Sequence, residues 1–143
     1  MCLRALSFVA LGALIQVETN HIDAEAENDP AMQRASIDIM LRGQGLEETL
    51  RQMAAEVPSQ RVDETTTLLE VLGDGTTLRY LYEVSTNTDV LPMSMRIGLV
   101  QHNCTYEALW PVIEAGATVE HVYQRSDGSE IGIVTITRDN CNY

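Results

Sequence analysis

Lysine is absent from this chain of 143 residues, and all nine basic positions are arginine. That excludes P-loop lysine, Schiff-base and Ser-Lys chemistry. Positive charge is also scarce: 21 acidic residues leave a formal net charge of −12. No basic cluster is available to neutralise phosphates, which argues against nucleic acid, and the acidity disfavours anionic membrane surfaces. Aromatics are only 5% of residues, namely five Tyr, one Trp and one Phe. A core must therefore come from Leu, Ile, Val, Met and Ala. The serines include no G-x-S-x-G elbow, and Gly73-x-Gly75 precedes no helix and is no dinucleotide loop. No cofactor is expected. Cysteine occurs three times, at Cys2, Cys104 and Cys141, in no paired zinc-ligand spacing.

What is present is ordinary globular material: 45% of residues are hydrophobic, and the length suits one domain with a real core. The first 17 residues, MCLRALSFVALGALIQV, place Arg4 before the uncharged apolar run Ala5 to Ile15. A run of about a dozen residues has the length of a signal-peptide core and is too short to span a bilayer. Ala24-Glu25-Ala26 supplies a small-x-small cleavage site. We expect residues 1–26 to be a cleavable signal peptide and the mature protein to be periplasmic or secreted, with no stable membrane insertion. Losing Arg4, Glu18, Asp23 and Glu25 takes the charge from −12 to −10. Cysteine arithmetic agrees: two cysteines remain, and in an oxidising compartment Cys104 and Cys141 are expected to pair.

Residues 27–45 read as a leader. Glu27, Asn28, Asp29 and Pro30 look helix-breaking, Ser36 to Leu41 suffices for one apolar turn or a short strand, and Gly43 and Gly45 interrupt it. A single domain is expected over 46–143. Leu46, Leu50, Met53, Ala54 and Val57 fall at helical spacing, and Pro58 ends that helix. Thr65 to Leu72 and Thr77 to Val84 form a hairpin about Gly73-Asp74-Gly75, with Leu78, Tyr80, Tyr82 and Val84 on one face. A second helix follows, capped by Asp89 with Pro92 early in it. A third is capped by Thr105 and ends at Gly116, with Pro111 awkwardly inside it. Val119 to Gln124 and Ile131 to Thr137 form a second hairpin about Ser126-Asp127-Gly128-Ser129. The expected fold is α+β in the order α-ββ-α(α)-ββ: an antiparallel sheet of about four strands, helices on one face.

Candidate chemistry is thin. His102, Cys104, His121 and Cys141 are residue types zinc would accept, but their spacing is wrong and a disulfide would consume the thiols. The same disulfide removes a Cys-His nucleophile pair. Asp63 with Glu64, and Asp127 with Glu130, are better read as solvated or turn acids than as an acid–base pair. Asn103-Cys104-Thr105 matches a glycosylation triplet that carries no weight in a bacterial-looking export context. Tyr80, Tyr82 and Tyr123 are the candidate partner-binding residues, since tyrosines on a sheet can anchor a partner or an apolar ligand.

The segments VDETTTL (62–68), LRYLYEV (78–84) and GATVEHVYQRSDGSEIGIVTITRDNC (116–141) resemble small exported, disulfide-containing proteins of Gram-negative bacteria. In these an acidic strand entry leads into a Tyr-rich hairpin, and a Cys, a helix, a Gly, a second Tyr-rich hairpin and a final Cys follow. The resemblance implies export, a disulfide and this fold order, and transfers no functional residue. The reading is an exported, non-enzymatic interaction module, either an immunity or inhibitor type or an envelope-assembly protein, with a basic protein as expected partner. Its rivals are a small periplasmic hydrolase using carboxylates and a histidine, and a carrier of an apolar small molecule.

Overall fold

The computed structural model describes residues 29–141. The signal-peptide reading over 1–26, with Cys2, lies outside the described residues. Within them the order is helix α1 (Pro30–Ala55), strands β1 (Gln60–Arg61), β2 (Thr66–Asp74) and β3 (Thr77–Val84), helices α2 (Met93–Thr105) and α3 (Trp110–Glu114), and strands β4 (Thr118–Arg125) and β5 (Glu130–Ile136). A 3-10 turn, Arg138–Cys141, ends it.

The fold class is α+β, as read from the sequence, with three differences. First, the expected leader is helix from Pro30 onward. Asp29 does not break α1 but caps it, accepting from the Ala31 N–H at 3.0 Å, and Pro30 stands in its first turn. There its missing N–H costs nothing and its fixed φ helps. The interruption at Gly45 is real but is a kink, with φ 87 and ψ 170. Thr49 spans it by donating its hydroxyl to the Gly45 carbonyl at 2.7 Å. Ile37, in the supposed leader, belongs to the core.

Second, the sheet has five strands in the order β1-β2-β3-β4-β5 and is mixed, not antiparallel. The extra strand, β1, is two residues long and pairs antiparallel with β2, too short for any periodic signal. The two hairpins meet in a parallel pair, β3 with β4, in register Leu78 to Val119, Tyr80 to His121 and Tyr82 to Tyr123. Residues 85–117 carry the chain back to the end of the sheet where β3 began, as a parallel join requires.

Third, the caps differ. Asp89 does not cap α2; it accepts from Arg125 at 3.0 Å, and Pro92 holds the cap position without a side-chain bond. Thr105 ends α2 instead of capping α3, donating to the Gln101 carbonyl at 2.9 Å. The Pro111 problem disappears because α3 starts only at Trp110, so Pro111 lies in its first turn and breaks no bond. Gly116, at φ 112, follows α3 in a Schellman closure, with Gly116 N–H to Ile113 O and Ala117 N–H to Val112 O.

The core lies between the helices and one face of the sheet. Leu50 of α1, Leu78 of β3, Val112 and Ile113 of α3, Val119 of β4 and Ile136 of β5 are almost wholly buried. Each such side chain contributes roughly 1.5–3 kcal/mol of transfer free energy. The other face is open: Leu72 and Ile133 are exposed there, and Arg79 pairs with Glu120 at 2.8 Å across β3 and β4. Cys104, at the end of α2, is bonded to Cys141 after β5, with Cα atoms 5.4 Å apart.

Candidate functional site

The helix-covered face of β3 and β4 carries an aromatic stack, because strand alternation puts Tyr80 and Tyr82 on one side of β3 and His121 and Tyr123 on the same side of β4. The parallel register then sets rings side by side. Tyr80 and His121 have centroids 4.9 Å apart at 14°, and Tyr82 and Tyr123 lie 4.5 Å apart at 10°. Burial pushes the Tyr80 and Tyr82 hydroxyls well above the ordinary phenol range and Tyr123 up to about 12, so all three stay protonated.

The helices do not cover this stack completely. A groove of about 1000 Å³ opens over it. Its floor is Tyr80, Tyr82 and His121. One wall comes from Val57, Val62 and Leu68, and the other from Leu99 and Asn103 of α2 with Tyr106 and Leu109 after it. Pro30 and Gln33, at the start of α1, stand at one margin, and Arg61 and Glu107 supply the charge. The exposed surface of the groove is thus mainly apolar, with polar side chains interspersed, Gln60 and Thr105 among them, a makeup compatible with a binding cleft.

His121 is only 4% exposed. Its Nε2 meets Asn103 Oδ1 at 3.0 Å and its Nδ1 meets the Tyr82 hydroxyl at 3.0 Å. Asn103, 1% exposed, donates its Nδ2–H to the Leu99 carbonyl at 2.8 Å. Desolvation, with a smaller contribution from His102, lowers the His121 pKa to about 4, so the imidazole is neutral at pH 7. Both ring nitrogens are occupied by neutral partners. No carboxylate bonds this histidine among the described residues, and none holds it as a general base.

Of the three candidate tyrosines, Tyr80 and Tyr82 line the groove. Tyr123 does not: it is 4% exposed, and its ring stacks against that of Tyr82 on the neighbouring strand. His102 sits on the groove margin, stacked on Tyr106 with centroids 5.2 Å apart, and is not brought to Cys104 as a ligand set. Among the described residues no three His, Cys, Asp or Glu side chains converge as a metal site. Asn103 of the glycosylation triplet is buried and committed to His121. Asp63 accepts from the Thr65 and Thr66 N–H groups at 2.9 Å, and Asp127 from the Ser129 hydroxyl at 2.7 Å and the Ser129 N–H at 2.9 Å. These bonds hold both carboxyls below the usual range and explain them as turn residues. Sequence reasoning missed Asn103, Leu99 and Tyr106. No spacing connects them to β3, and only the return of α2 across the sheet does so.

No protein-family model matches this chain, and no curated protein matches it in sequence. Solved structures share its fold. A candidate secreted protein of Pseudomonas aeruginosa superposes with a TM-score of 0.60 at 13% identity, over 77% of this chain and 96% of that one. The type 2 secretion system pilotin EpsS of Vibrio vulnificus gives 0.54 at 12%, over 79% and 98%. The type II secretion pilotin AspS of Vibrio cholerae gives 0.51 at 12%, over 78% and 97%. At such identities the likeness is one of fold.

Proposed function

We propose that this protein works outside the cytoplasm, in the periplasm or secreted, as a non-enzymatic envelope-assembly factor whose groove holds a segment of a secretion-machinery protein. The observation that carries the reading is the groove itself: an aromatic floor between two largely apolar walls, on a fold shared with two pilotins. An open cleft of this makeup suits a polypeptide segment. The hydrolase reading needs His121 beside a carboxylate, and the imidazole is instead held by Tyr82 and Asn103. The net charge of −10 left after loss of residues 1–26 favours a partner with basic flanks, whose association rate should fall as salt shortens the Debye length from ~30 Å to ~10 Å.

Site-specific photo-crosslinking in the native cell tests this. A benzophenone side chain at Val62, exposed on the groove wall, should capture an envelope secretion protein. The same probe at Leu72 on the open sheet face should not. Equal capture from both positions, or none from Val62, would overturn the groove as the partner site.

A further inference from the structure

One polar group on the groove floor has its hydrogen-bonding sense fixed by the atoms beneath it. The Leu99 carbonyl can only accept, so Asn103 points Nδ2–H at it and leaves Oδ1 facing His121. An amide oxygen can only accept, so His121 must carry its proton on Nε2. Nδ1 of a neutral ring is then a bare lone pair, and Tyr82 must donate its hydroxyl proton to it. The Tyr82 oxygen keeps lone pairs but has no proton left to give, and among the described residues no donor reaches it. Tyr80, stacked beside it with centroids 6.4 Å apart, has no such fixed partner among the described residues and sets no polarity.

We propose that Tyr82 Oη is a specificity-determining acceptor, so that the groove selects a segment that is apolar on its buried face and brings one N–H or O–H donor over Tyr82. Asn103 and His121 are positioning residues that act through Tyr82. The inference rests on the groove being the partner site, and deepens it by stating what the partner must carry. Seating a segment expels water from the floor. A wholly apolar segment then strands the Tyr82 lone pairs, and a segment offering only an acceptor adds repulsion; a donor satisfies them. Charge complementarity points the same way: a mature chain at −10 attracts basic residues flanking that segment outside the groove.

The test uses the disulfide-bonded protein and two bicyclic probes of nearly equal shape, indole with an N–H and benzofuran with a ring oxygen, titrated by amide-resolved NMR. Benzofuran is the more apolar, so desolvation alone ranks it first. Indole should nevertheless bind about 2- to 10-fold tighter, the worth of one neutral hydrogen bond, and shift groove-lining amides. In Tyr82→Phe both probes should still bind and the preference should vanish. Equal binding in the wild type, tighter benzofuran, or a preference that survives Tyr82→Phe overturns the acceptor role alone. If neither probe touches the groove amides, the groove reading falls and this inference with it. Imidazole 15N shifts give a measurement that needs no variant: a proton found on Nδ1 of His121 overturns the proposal.

Discussion

The hairpins β2–β3 and β4–β5 are built alike, each with an Asp-Gly pair at its turn and an apolar face toward the helices, yet they are fastened differently. A Cβ added at Gly73 of β2 would lie 2.8 Å from the Leu50 carbonyl and 2.9 Å from Arg51 Cα. Helix α1 therefore rests backbone to backbone on the first hairpin. At Gly132 of β5 the nearest atoms are side-chain ends, Leu91 at 3.1 Å and Arg96 at 3.2 Å. The second hairpin meets α2 through side chains that can move, and the Cys104–Cys141 bond supplies there the fixity that backbone contact supplies at the other end. The groove runs along the seam. Val57, Val62 and Leu68 belong to the packed half, and Leu99, Asn103 and Tyr106 to the tethered half.

The strongest challenge to this contrast is removal of the tether. Replacing Cys104 and Cys141 with alanine frees a loop of sequence separation 37. It should lower unfolding free energy by about 3–4 kcal/mol on the chain-entropy account, read from the denaturant midpoint. Hydrogen exchange should then accelerate in β5 and α2 well before β2 and β3. Uniform loss of protection would show that the two halves are one cooperative unit.

Next in size is the pH dependence of the seam. His121 has a folded pKa of about 4 against an ordinary 6.5, so the folded state binds fewer protons and the unfolded state gains them first as pH falls. Stability is present in full above 6.5, is lost as pH falls from 6.5 toward 4, and changes no further below that from this group. The loss is of order 3 kcal/mol. Asp63 and Asp127, held low by turn hydrogen bonds, act only at lower pH, and Glu56, raised by burial, acts in the opposite sense. Urea titrations across this window should show the slope in the wild type and a much flatter profile in His121→Gln. A wild type as flat as the variant would mean His121 charges freely in the fold.

The smallest effects come from the two glycines, which compare the fastenings directly. Gly73→Ala pushes a methyl against helix backbone that cannot yield, and should cost about 1–3 kcal/mol. Gly132→Ala meets Leu91 and Arg96 side chains that can rotate away, and should cost under about 1 kcal/mol. Thermal melts of the two variants side by side decide it, and equal penalties would erase the distinction.

Much of the fold was legible locally. The Leu46-to-Val57 helix, both hairpins and the common face of Leu78, Tyr80, Tyr82 and Val84 follow from periodicity and turn residues. The errors fall where a residue has two local meanings. Asp-Pro at 29–30 reads equally as a breaker and as a helix start, and what selects the second is Ile37 finding the core seven residues on. Pro111 is misplaced only if Thr105 caps α3, and Thr105 instead ends α2. Of the three tyrosines of the candidate site, Tyr80 and Tyr82 line the groove. Tyr123 obeys the same alternation as Tyr82, but burial depends on neighbouring strands and helices that alternation does not describe.

The element types are legible in the chain alone, because turn chemistry, alternation and helical spacing act over a few residues and need no distant partner. So are the poverty of positive charge and the missing lysine chemistry. It takes the folded chain to make β3 and β4 run parallel, to return α2 over their aromatic face, and to bring Asn103 to His121. Those depend on the path of residues 85–117 across the sheet. The polarity of the Tyr82 hydroxyl is the sharpest instance. A tyrosine can donate or accept, and only a chain of bonds ending at the Leu99 carbonyl, assembled from α2, β3 and β4, makes it donate to His121 and leaves its lone pairs toward the groove.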